Sequence, residues 1–227
     1  MTAPAAARSV YVTGTDTGVG KTVASVALVR AWRARGLRTI GMKPVASGCE
    51  RTPEGWRNAD ALRLQAASDP RPAYGDLNPW ALPAATAPEF AAREVGATLT
   101  IGPILDAHAR LATQADLVVV EGVGGWAAPI DDGLAQADLV RALSLPVVLV
   151  VGLRLGCLNH AALTARTIAA DGGTLLGWIV SEIEPDLPYR DDNLAWLQRH
   201  LPAPCWGVLP FRADAHEADL SGFLSPL

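Results

Sequence analysis

The sequence has few cysteines, no excess of basic residues and no long apolar run, and each absence excludes a class of protein. Its three cysteines, Cys49, Cys157 and Cys205, are widely separated and form no Cys-x-x-Cys pair, which argues against a disulfide framework and a zinc site. They fit a reducing compartment, so a cytoplasmic location is expected. Lys and Arg number 19 against 23 Asp and Glu, which gives no indication of a nucleic-acid or anionic-membrane partner. The partner is therefore expected to be a small molecule.

Membrane and export signals are also missing from the sequence. No run approaches the ~20 apolar residues that a spanning helix needs, and residues 1–8 lack the basic region and apolar core of a signal peptide. We expect a short disordered leader over residues 1–8. The 227 residues, half of them hydrophobic, are enough for one large core, which predicts a single domain over residues 9–227.

Apolar runs rich in β-branched residues alternate with stretches of helical periodicity, which is typical of a parallel sheet with crossover helices. Strands are predicted at residues 9–12, 38–43, 117–120, 147–151 and 175–180, with a last strand before Pro210. Helices are predicted at residues 22–35, 60–67, 101–114, 158–170 and 191–200. The Pro- and Ala-rich residues 68–103 are expected to form a long loop with one short helix.

A glycine-rich segment over residues 14–22 joins the first predicted strand to the first predicted helix. In a P-loop of this kind, backbone N–H groups bind phosphate oxygens, Lys21 neutralises the β- and γ-phosphates, and the Thr22 hydroxyl binds Mg²⁺. Five residues separate Gly14 from Gly20, one more than usual. Gly-Lys-Thr at the junction disfavours a turn that merely connects strand to helix. The expected fold class is an α/β, single-domain P-loop NTPase with a mostly parallel central sheet flanked by helices on both faces.

A second glycine-rich turn, residues 122–125, follows the strand at 117–120 and the acid Glu121. An acid at the carboxyl end of a central strand can complete a Mg²⁺ shell, and the glycines let backbone N–H groups face an anion. Alternatively, Glu121 only ends the strand and the glycines only make a turn. The position after a buried strand favours the functional interpretation.

Lys43 ends the weaker strand and is followed by the hydroxyl of Ser47. We expect it to point into the same crevice as Lys21. Two cations at one place suit a site that holds a phosphoryl group beside a carboxylate or carbamate. A solvated surface lysine is the alternative, because most lysines are exposed.

Other polar residues are open to two interpretations. Asp60 is either a helix N-cap or a metal ligand reached through water, and taken alone the cap is favoured. Asn159 either touches substrate or only begins a helix. Three histidines lack companions for a metal site and are expected at the surface: His108, His200 and His216.

Six segments in the same order resemble the dethiobiotin synthetases of the biotin pathway. The resemblance runs from about residue 10 to residue 210, and the long P-loop is the family's own form. The segments are residues 14–22, 43–48, 52–55, 58–62, 120–126 and 155–160.

The resemblance implies a homodimer that uses Mg²⁺ and ATP to convert 7,8-diaminopelargonate and CO₂ to dethiobiotin, through a carbamic-phosphoric anhydride. Thr17, Lys21 and Lys43 would act on the carbamate and γ-phosphate. Thr22, Asp60 and Glu121 would place Mg²⁺. Substrate would contact Ser47, Gly124, Gly125 and, from the partner subunit, Asn159. The nucleotide would contact Gly18, Val19, Gly20, Lys21, Thr22, Val23, Asp60, Glu121, Gly122, Val123, Gly124, Ser181, Glu182, Pro210, Phe211 and Arg212.

Two positions depart from the family pattern. Gly18 stands where members often carry Glu, which alters the loop above the phosphates. Ser181 stands where an Asn often reads the adenine edge, which leaves base selectivity open. Residues 210–212 are expected to complete the base pocket.

Two other functions compete with this interpretation. A related P-loop ligase or amidotransferase, such as a cobyrinate-type synthetase, is disfavoured because the sequence has no glutaminase domain. A nucleotide-dependent switch or partitioning ATPase is disfavoured because Thr15 and Asp16 stand where those proteins carry an additional lysine.

Overall fold

The computed structural model describes residues 8–227. The leader expected over residues 1–8 lies outside the described residues, apart from Arg8, which begins the first strand. The strands are β1 (Arg8–Gly14), β2 (Thr39–Met42), β3 (Val45–Ala46), β4 (Glu50–Thr52), β5 (Gly55–Arg57), β6 (Trp80–Ala81), β7 (Leu117–Glu121), β8 (Pro129–Asp131), β9 (Leu134–Ala135), β10 (Val147–Leu153), β11 (Leu175–Glu182) and β12 (Cys205–Leu209). The helices are α1 (Lys21–Ala34), α2 (Ala59–Ala67), α3 (Tyr74–Leu77), α4 (Pro88–Glu94), α5 (Gly102–Gln114), α6 (Gln136–Leu143), α7 (Cys157–Ala170) and α8 (Arg190–His200), with a 3₁₀ helix at Ser221–Phe223.

Six strands form the central sheet in the order β12-β11-β10-β1-β7-β2. Every pairing in it is parallel. From β1 the chain passes to β2 on one side, and it later continues from β10 to β12 on the other. The strand order therefore reverses beside β1, where open α/β sheets bind ligands outside the carboxyl ends of their strands.

Helices cover both faces of the sheet, as predicted. Along β1, Val10 and Val12 pack with α1 and α2, whereas Tyr11 packs with α5 and α6. The helices α7 and α8 cover β10 and β11. Because β7 and β10 are buried along their whole length, they read in the sequence as continuous apolar runs rather than as alternating ones.

The structure corrects the sequence-based prediction for residues 68–103. This stretch contains two short helices, α3 and α4, and the strand β6, rather than one helix in a long loop. The amide of Lys43 donates to the carbonyl of Leu77 at 2.8 Å, and that of Trp80 donates to the carbonyl of Pro44 at 3.1 Å. Contacts with residues far away in the sequence thus stabilise these elements, which are too short to show a helical or strand period in their apolar residues.

Other short elements were not predicted either. They are the helix α6, the hairpins β4–β5 and β8–β9, and the strand β3, which pairs with β6. None of the helices within residues 8–227 is long and apolar enough to cross a membrane.

Candidate active site

A cavity of about 690 Å³ opens at the carboxyl ends of the central strands. Most residues predicted for a site line it, although they come from distant parts of the chain. The predicted residues that line the cavity are Thr17, Gly18, Gly20, Lys21, Thr22, Val23, Lys43, Ser47, Asp60, Glu121, Val123, Gly124, Ser181, Glu182, Pro210, Phe211 and Arg212.

The P-loop turns tightly from β1 into α1. Gly18 and Gly20 have φ angles of +74° and +86°, a conformation that costs glycine little and other residues more. A Cβ on Gly20 would also collide with the side chain of Ser181 on β11. Gly20 is the N-cap of α1 and carries no capping side chain, so the first backbone N–H groups of α1 can bind an anion.

Lys21 lies in the first turn of α1 with 8% of its surface exposed. Its ammonium donates to the Asp16 carbonyl at 2.8 Å. Burial, followed by repulsion from Lys43, lowers the pKa of Lys21 to about 8, against the attraction of Glu121, Asp60 and Asp16. Burial thus leaves the charged form of Lys21 poorly solvated, and a bound polyphosphate would stabilise that form.

Glu121 at the end of β7 is completely buried and brings two other predicted residues together. Its Oε1 accepts hydrogen bonds from Thr22 Oγ1 at 2.8 Å and from Lys43 Nζ at 2.5 Å. Lys43 Nζ also donates to the Gly122 carbonyl at 3.2 Å. The interpretation of Lys43 as a surface lysine is thus wrong, since it is 5% exposed. Lys21 and Lys43 are the two lysines of the chain, and both line this cavity.

The residues present fit a Mg²⁺ site. Glu121 Oε2 is buried and has no hydrogen-bond partner within residues 8–227, which is unfavourable unless a cation completes its shell. Thr22 Oγ1 lies beside it, and Asp60 lines the same cavity. No group of three or more His, Cys, Asp or Glu suited to a metal occurs in this part of the chain. Mg²⁺ needs no such group, because it commonly binds one or two carboxylates together with substrate phosphates and water.

The structure corrects the helix cap assigned to Asp60. The N-cap of α2 is Asn58, whose side chain accepts hydrogen bonds from the amides of Asp60 and Ala61. The Asp60 carboxylate lies 3.8 Å from Lys43 Nζ and 3.4 Å from an Arg63 nitrogen. Asp60 is therefore free of the capping role and faces the cations of the site.

The far end of the cavity is formed by the ends of β11 and β12. Ser181 is buried there. Glu182 accepts from Arg190 Nε at 2.6 Å and from the Phe211 amide at 3.3 Å. Arg212 pairs with Asp214 at 2.8 Å. Apolar residues after the same two strands, Ile183, Leu209 and Phe211, also line the cavity. An apolar surface with a polar edge suits a planar base.

Four predicted site residues do not line the cavity. Val19 is buried beneath the P-loop, where it packs on Gly14 and Gly152. The Gly122 carbonyl accepts a hydrogen bond from Lys43, but Gly122 does not line the cavity. Gly125 packs beside the backbone of Thr15 and Asp16. Asn159 is exposed on α7.

Sequence reasoning missed several contributors. Asn58 lines the cavity, and its preference for helix N-caps could have identified it. Gln136 is fully buried and donates to the Val123 carbonyl at 2.9 Å while accepting from the Tyr11 hydroxyl, so it supports the second glycine-rich turn. Arg154 bonds Asp16 of the P-loop at 2.7 Å. Unpredicted residues that also line the cavity are Ala46, Ile183, Leu209, Ala213, Ala215 and His216.

The histidines are only partly as expected. His216 is exposed but lines the cavity. His108 is half-buried, with its Nε2 3.0 Å from Ser9 Oγ, so its assignment to the surface is wrong. His200 is exposed.

Comparison with known proteins identifies close relatives. A family model described as an AAA domain matches residues 8–218. The chain is 64% identical over 208 residues to the ATP-dependent dethiobiotin synthetase BioD of Xanthomonas oryzae pv. oryzae (strain PXO99A), which covers 92% of this chain and 93% of the relative. It is 60% identical over 200 residues to the BioD of Xylella fastidiosa (strain 9a5c), with 88% of each chain covered.

Solved structures share the fold at low sequence identity. The MinC:MinD cell division protein complex of Aquifex aeolicus is similar with a TM-score of 0.57 and 14% identity, over 92% of this chain and 85% of that one. The signal recognition particle receptor FtsY of Elizabethkingia anophelis, in complex with GDP, gives a TM-score of 0.53 and 14% identity, over 100% of this chain and 62% of that one. These likenesses confirm the predicted fold class.

Proposed function

This chain belongs to the ATP-dependent dethiobiotin synthetases, and from that premise we propose that the cavity is where 7,8-diaminopelargonate, CO₂ and ATP become dethiobiotin, ADP and phosphate. The observation that carries the proposal is the convergence of both lysines of the chain and the P-loop threonine around one buried carboxylate.

The proposed reaction has three steps. One amine of the diamine attacks CO₂ and loses a proton, which gives a carbamate. A carbamate oxygen then attacks the γ-phosphorus of ATP as the bond to ADP breaks, which gives a carbamic-phosphoric anhydride. The second amine attacks the carbamate carbon, phosphate leaves, and loss of a proton yields the cyclic urea.

Charge neutralisation and alignment are the tasks proposed for the side chains. Lys21 would neutralise the β- and γ-phosphates, while Lys43 and Thr17 would hold the carbamate against the γ-phosphate. All three line one cavity, and Lys43 is held by Glu121 in a fixed position. Holding two anions in line for attack is the main contribution that an enzyme makes to phosphoryl transfer.

Thr22, Asp60 and Glu121 are proposed to hold Mg²⁺. The ion, when bound, would withdraw charge from the phosphates. The unpartnered Oε2 of Glu121 supports this assignment.

Glu121→Gln tests the metal assignment, since the neutral amide keeps the shape but binds cations weakly. We expect the Mg²⁺ concentration for half-maximal activity to rise at least about tenfold. Asp138→Asn, which alters an acid outside the cavity, is the matched control. An unchanged Mg²⁺ requirement in Glu121→Gln would remove Glu121 from the metal site.

ATP and the substrate are proposed to occupy opposite ends of the cavity. The base would lie against Ser181, Glu182 and residues 210–212, and the diamine against Ser47 and Gly124. A cytoplasmic location is also proposed, and the three free thiols support it.

A homodimer is proposed because an exposed apolar surface adjoins the P-loop. Arg154 bonds the P-loop, and the next residue, Leu155, is 94% exposed. Leu158 and the exposed Tyr189 line a groove beside it. This surface, defined by Leu155, Leu158 and Tyr189, would let each subunit present Asn159 to its partner's cavity.

The function is tested by phosphate release from Mg·ATP in bicarbonate buffer, with and without 7,8-diaminopelargonate, and by mass spectrometry of the product. We expect release that depends on the diamine and forms the cyclic urea. Hydrolysis that is indifferent to the diamine would instead support a nucleotide-dependent switch.

A further inference from the structure

A chain of buried and partly buried hydrogen bonds runs behind the cavity wall from α3 to three residues of the site. It begins at Asn78, which follows α3 and is 3% exposed. Asn78 Nδ2 donates to the Lys43 carbonyl at 2.7 Å, and Asn78 Oδ1 accepts from the Tyr74 hydroxyl at 3.0 Å. Burial raises the pKa of Tyr74, so this hydroxyl keeps its proton at neutral pH. Asn78 therefore connects the Lys43 carbonyl to the Tyr74 hydroxyl, and its Nδ2 also donates to the Trp80 carbonyl at 3.3 Å.

The same hydroxyl continues the chain toward α2. The backbone amide of Asn58 donates to Tyr74 Oη at 2.8 Å. The side chain of Asn58 then accepts from the amide of Asp60 at 3.0 Å, and its Nδ2 donates to the Ser47 carbonyl at 3.2 Å. Tyr74 therefore connects the backbones of Lys43, Ser47 and Asp60, which are separated in the sequence but line one cavity.

The hydrogen bonds of the Lys43 side chain depend on where its backbone is held. Its ammonium lies 2.5 Å from Glu121 and 3.2 Å from the Gly122 carbonyl. Misplacement of a reacting or aligning group by about 1 Å can cost ~10²-fold in rate, so the position of the Lys43 backbone matters for both contacts. Among the described residues, none of these hydrogen bonds involves the P-loop, so binding of phosphates by the P-loop itself should not depend on them.

We propose that Tyr74 and Asn78 are positioning residues that align Lys43, Ser47 and Asp60 for phosphoryl transfer. The inference rests on the proposed function of this cavity. Neither side chain lines the cavity, and both act through the residues that do.

Tyr74→Phe and Asn78→Leu test the proposal, because each removes polar atoms and keeps most of the volume. We expect kcat, expressed per site that binds a non-hydrolysable ATP analogue, to fall about tenfold for Tyr74→Phe and about 100-fold for Asn78→Leu. The dissociation constant of the analogue, measured without Mg²⁺ so that Asp60 does not act through the ion, should change less than about twofold. Counting sites in this way removes the effect of any unfolded fraction.

Gln65→Met is the matched control. Gln65 is also buried, and its Nε2 donates to the Pro72 carbonyl at 2.9 Å in the same stretch, but it bonds none of the three aligned residues. It should lower stability by a similar amount and leave kcat per site unchanged. An equal loss of kcat in Gln65→Met would overturn the proposal in favour of general support of residues 68–83.

The double variant Tyr74→Phe, Asn78→Leu tests whether the two residues act through one hydrogen-bonded chain or independently of each other. Residues that share hydrogen bonds are not additive, so the double variant should lose clearly less than the product of the two single losses. Multiplication of the two losses to about 1,000-fold would contradict the proposal.

A readout without turnover distinguishes failure of this inference from failure of the proposed function. Because the chain has two lysines, selective ¹³C-lysine labelling gives two sets of Cε signals, which Lys21→Arg assigns. Tyr74→Phe and Asn78→Leu should shift the Lys43 signal and leave that of Lys21 in place, whereas Gln65→Met should move neither. An unmoved Lys43 signal would refute the positioning role, even in a protein that makes no dethiobiotin.

Discussion

At the residue scale, the complete burial of the Glu121 carboxylate is unfavourable for folding when taken alone. Removing a charge from water costs several kcal/mol, and only one of its two oxygens has partners within residues 8–227. Lys43 compensates part of this cost. A pair of this kind contributes little to stability, so its retention is better explained by the binding of cations and anions during the reaction.

Lys43→Ala is therefore expected to abolish turnover, with kcat at least about 10³-fold lower, because the lysine acts where carbamate and γ-phosphate meet. Binding of a non-hydrolysable ATP analogue should change less than about fivefold, since Lys21 and α1 remain. Steady-state kinetics and calorimetry measure the two effects. Arg141→Ala, which removes an exposed cation paired with Asp138, is the control. Turnover retained in Lys43→Ala would exclude Lys43 from the chemistry.

At the scale of elements, the P-loop depends on how closely β11 approaches α1. Gly18 and Gly20 share a positive φ, but a Cβ on Gly18 would have no atom of residues 8–227 within 4 Å, whereas one on Gly20 would meet Ser181. The two positions therefore share backbone strain and differ in packing.

Gly20→Ala should destabilise the protein by roughly 2–4 kcal/mol, and Gly18→Ala by about 1 kcal/mol, as urea unfolding would measure. The smaller value reflects strain alone. Combining Gly20→Ala with Ser181→Gly should recover part of the difference, because it removes the colliding side chain. An equal loss of unfolding free energy in the two single variants would mean that β11 moves to accommodate the new methyl group.

At the scale of the whole molecule, helices cover both faces of the sheet, whereas Leu155, just before α7, and Tyr189, just before α8, are exposed. Of the two, Leu155 is the more exposed, at 94%. Exposed apolar surfaces of this kind commonly mark contacts between proteins.

Leu155→Asp should shift the homodimer toward monomers by at least about tenfold in dissociation constant, because a charge would be buried in the contact. Light scattering after gel filtration measures the mass. Val95→Asp changes an apolar residue that is 52% exposed elsewhere and should leave the mass unchanged. A monomeric wild-type protein would refute the dimer.

Acid should weaken the folded state partly through His108. Burial lowers its pKa in the folded protein, so the unfolded chain binds the proton more readily. Stability should then decrease as pH falls from about 6.5 through the lowered pKa. His108→Gln should flatten the dependence of the urea midpoint between pH 7.5 and 5. Identical pH profiles for the two proteins would assign the acid sensitivity to other groups.

The sequence by itself determined the parallel sheet, the P-loop and the two cations of the site. Buried parallel strands produce continuous apolar runs in the sequence, and a phosphate-binding turn is a local structure whose glycines and Lys21 lie within one short segment. The order of the motifs was enough to indicate the family. Lys43 and Glu121 could be named because each ends a strand, although nothing local showed that they touch.

Only the tertiary structure decided which of these residues meet and what holds them. The contact between Lys43 and Glu121 spans 78 positions, and its formation depends on β2 lying beside β7. Asn58 rather than Asp60 caps α2. Tyr74 and Asn78 support Lys43 in the cavity wall through hydrogen bonds, although their part of the sequence shows no regular spacing of apolar residues. Elements of two to four residues cannot stabilise themselves, because the entropy of ordering them exceeds their local hydrogen bonding. Their positions are set by distant partners, which no local pattern records.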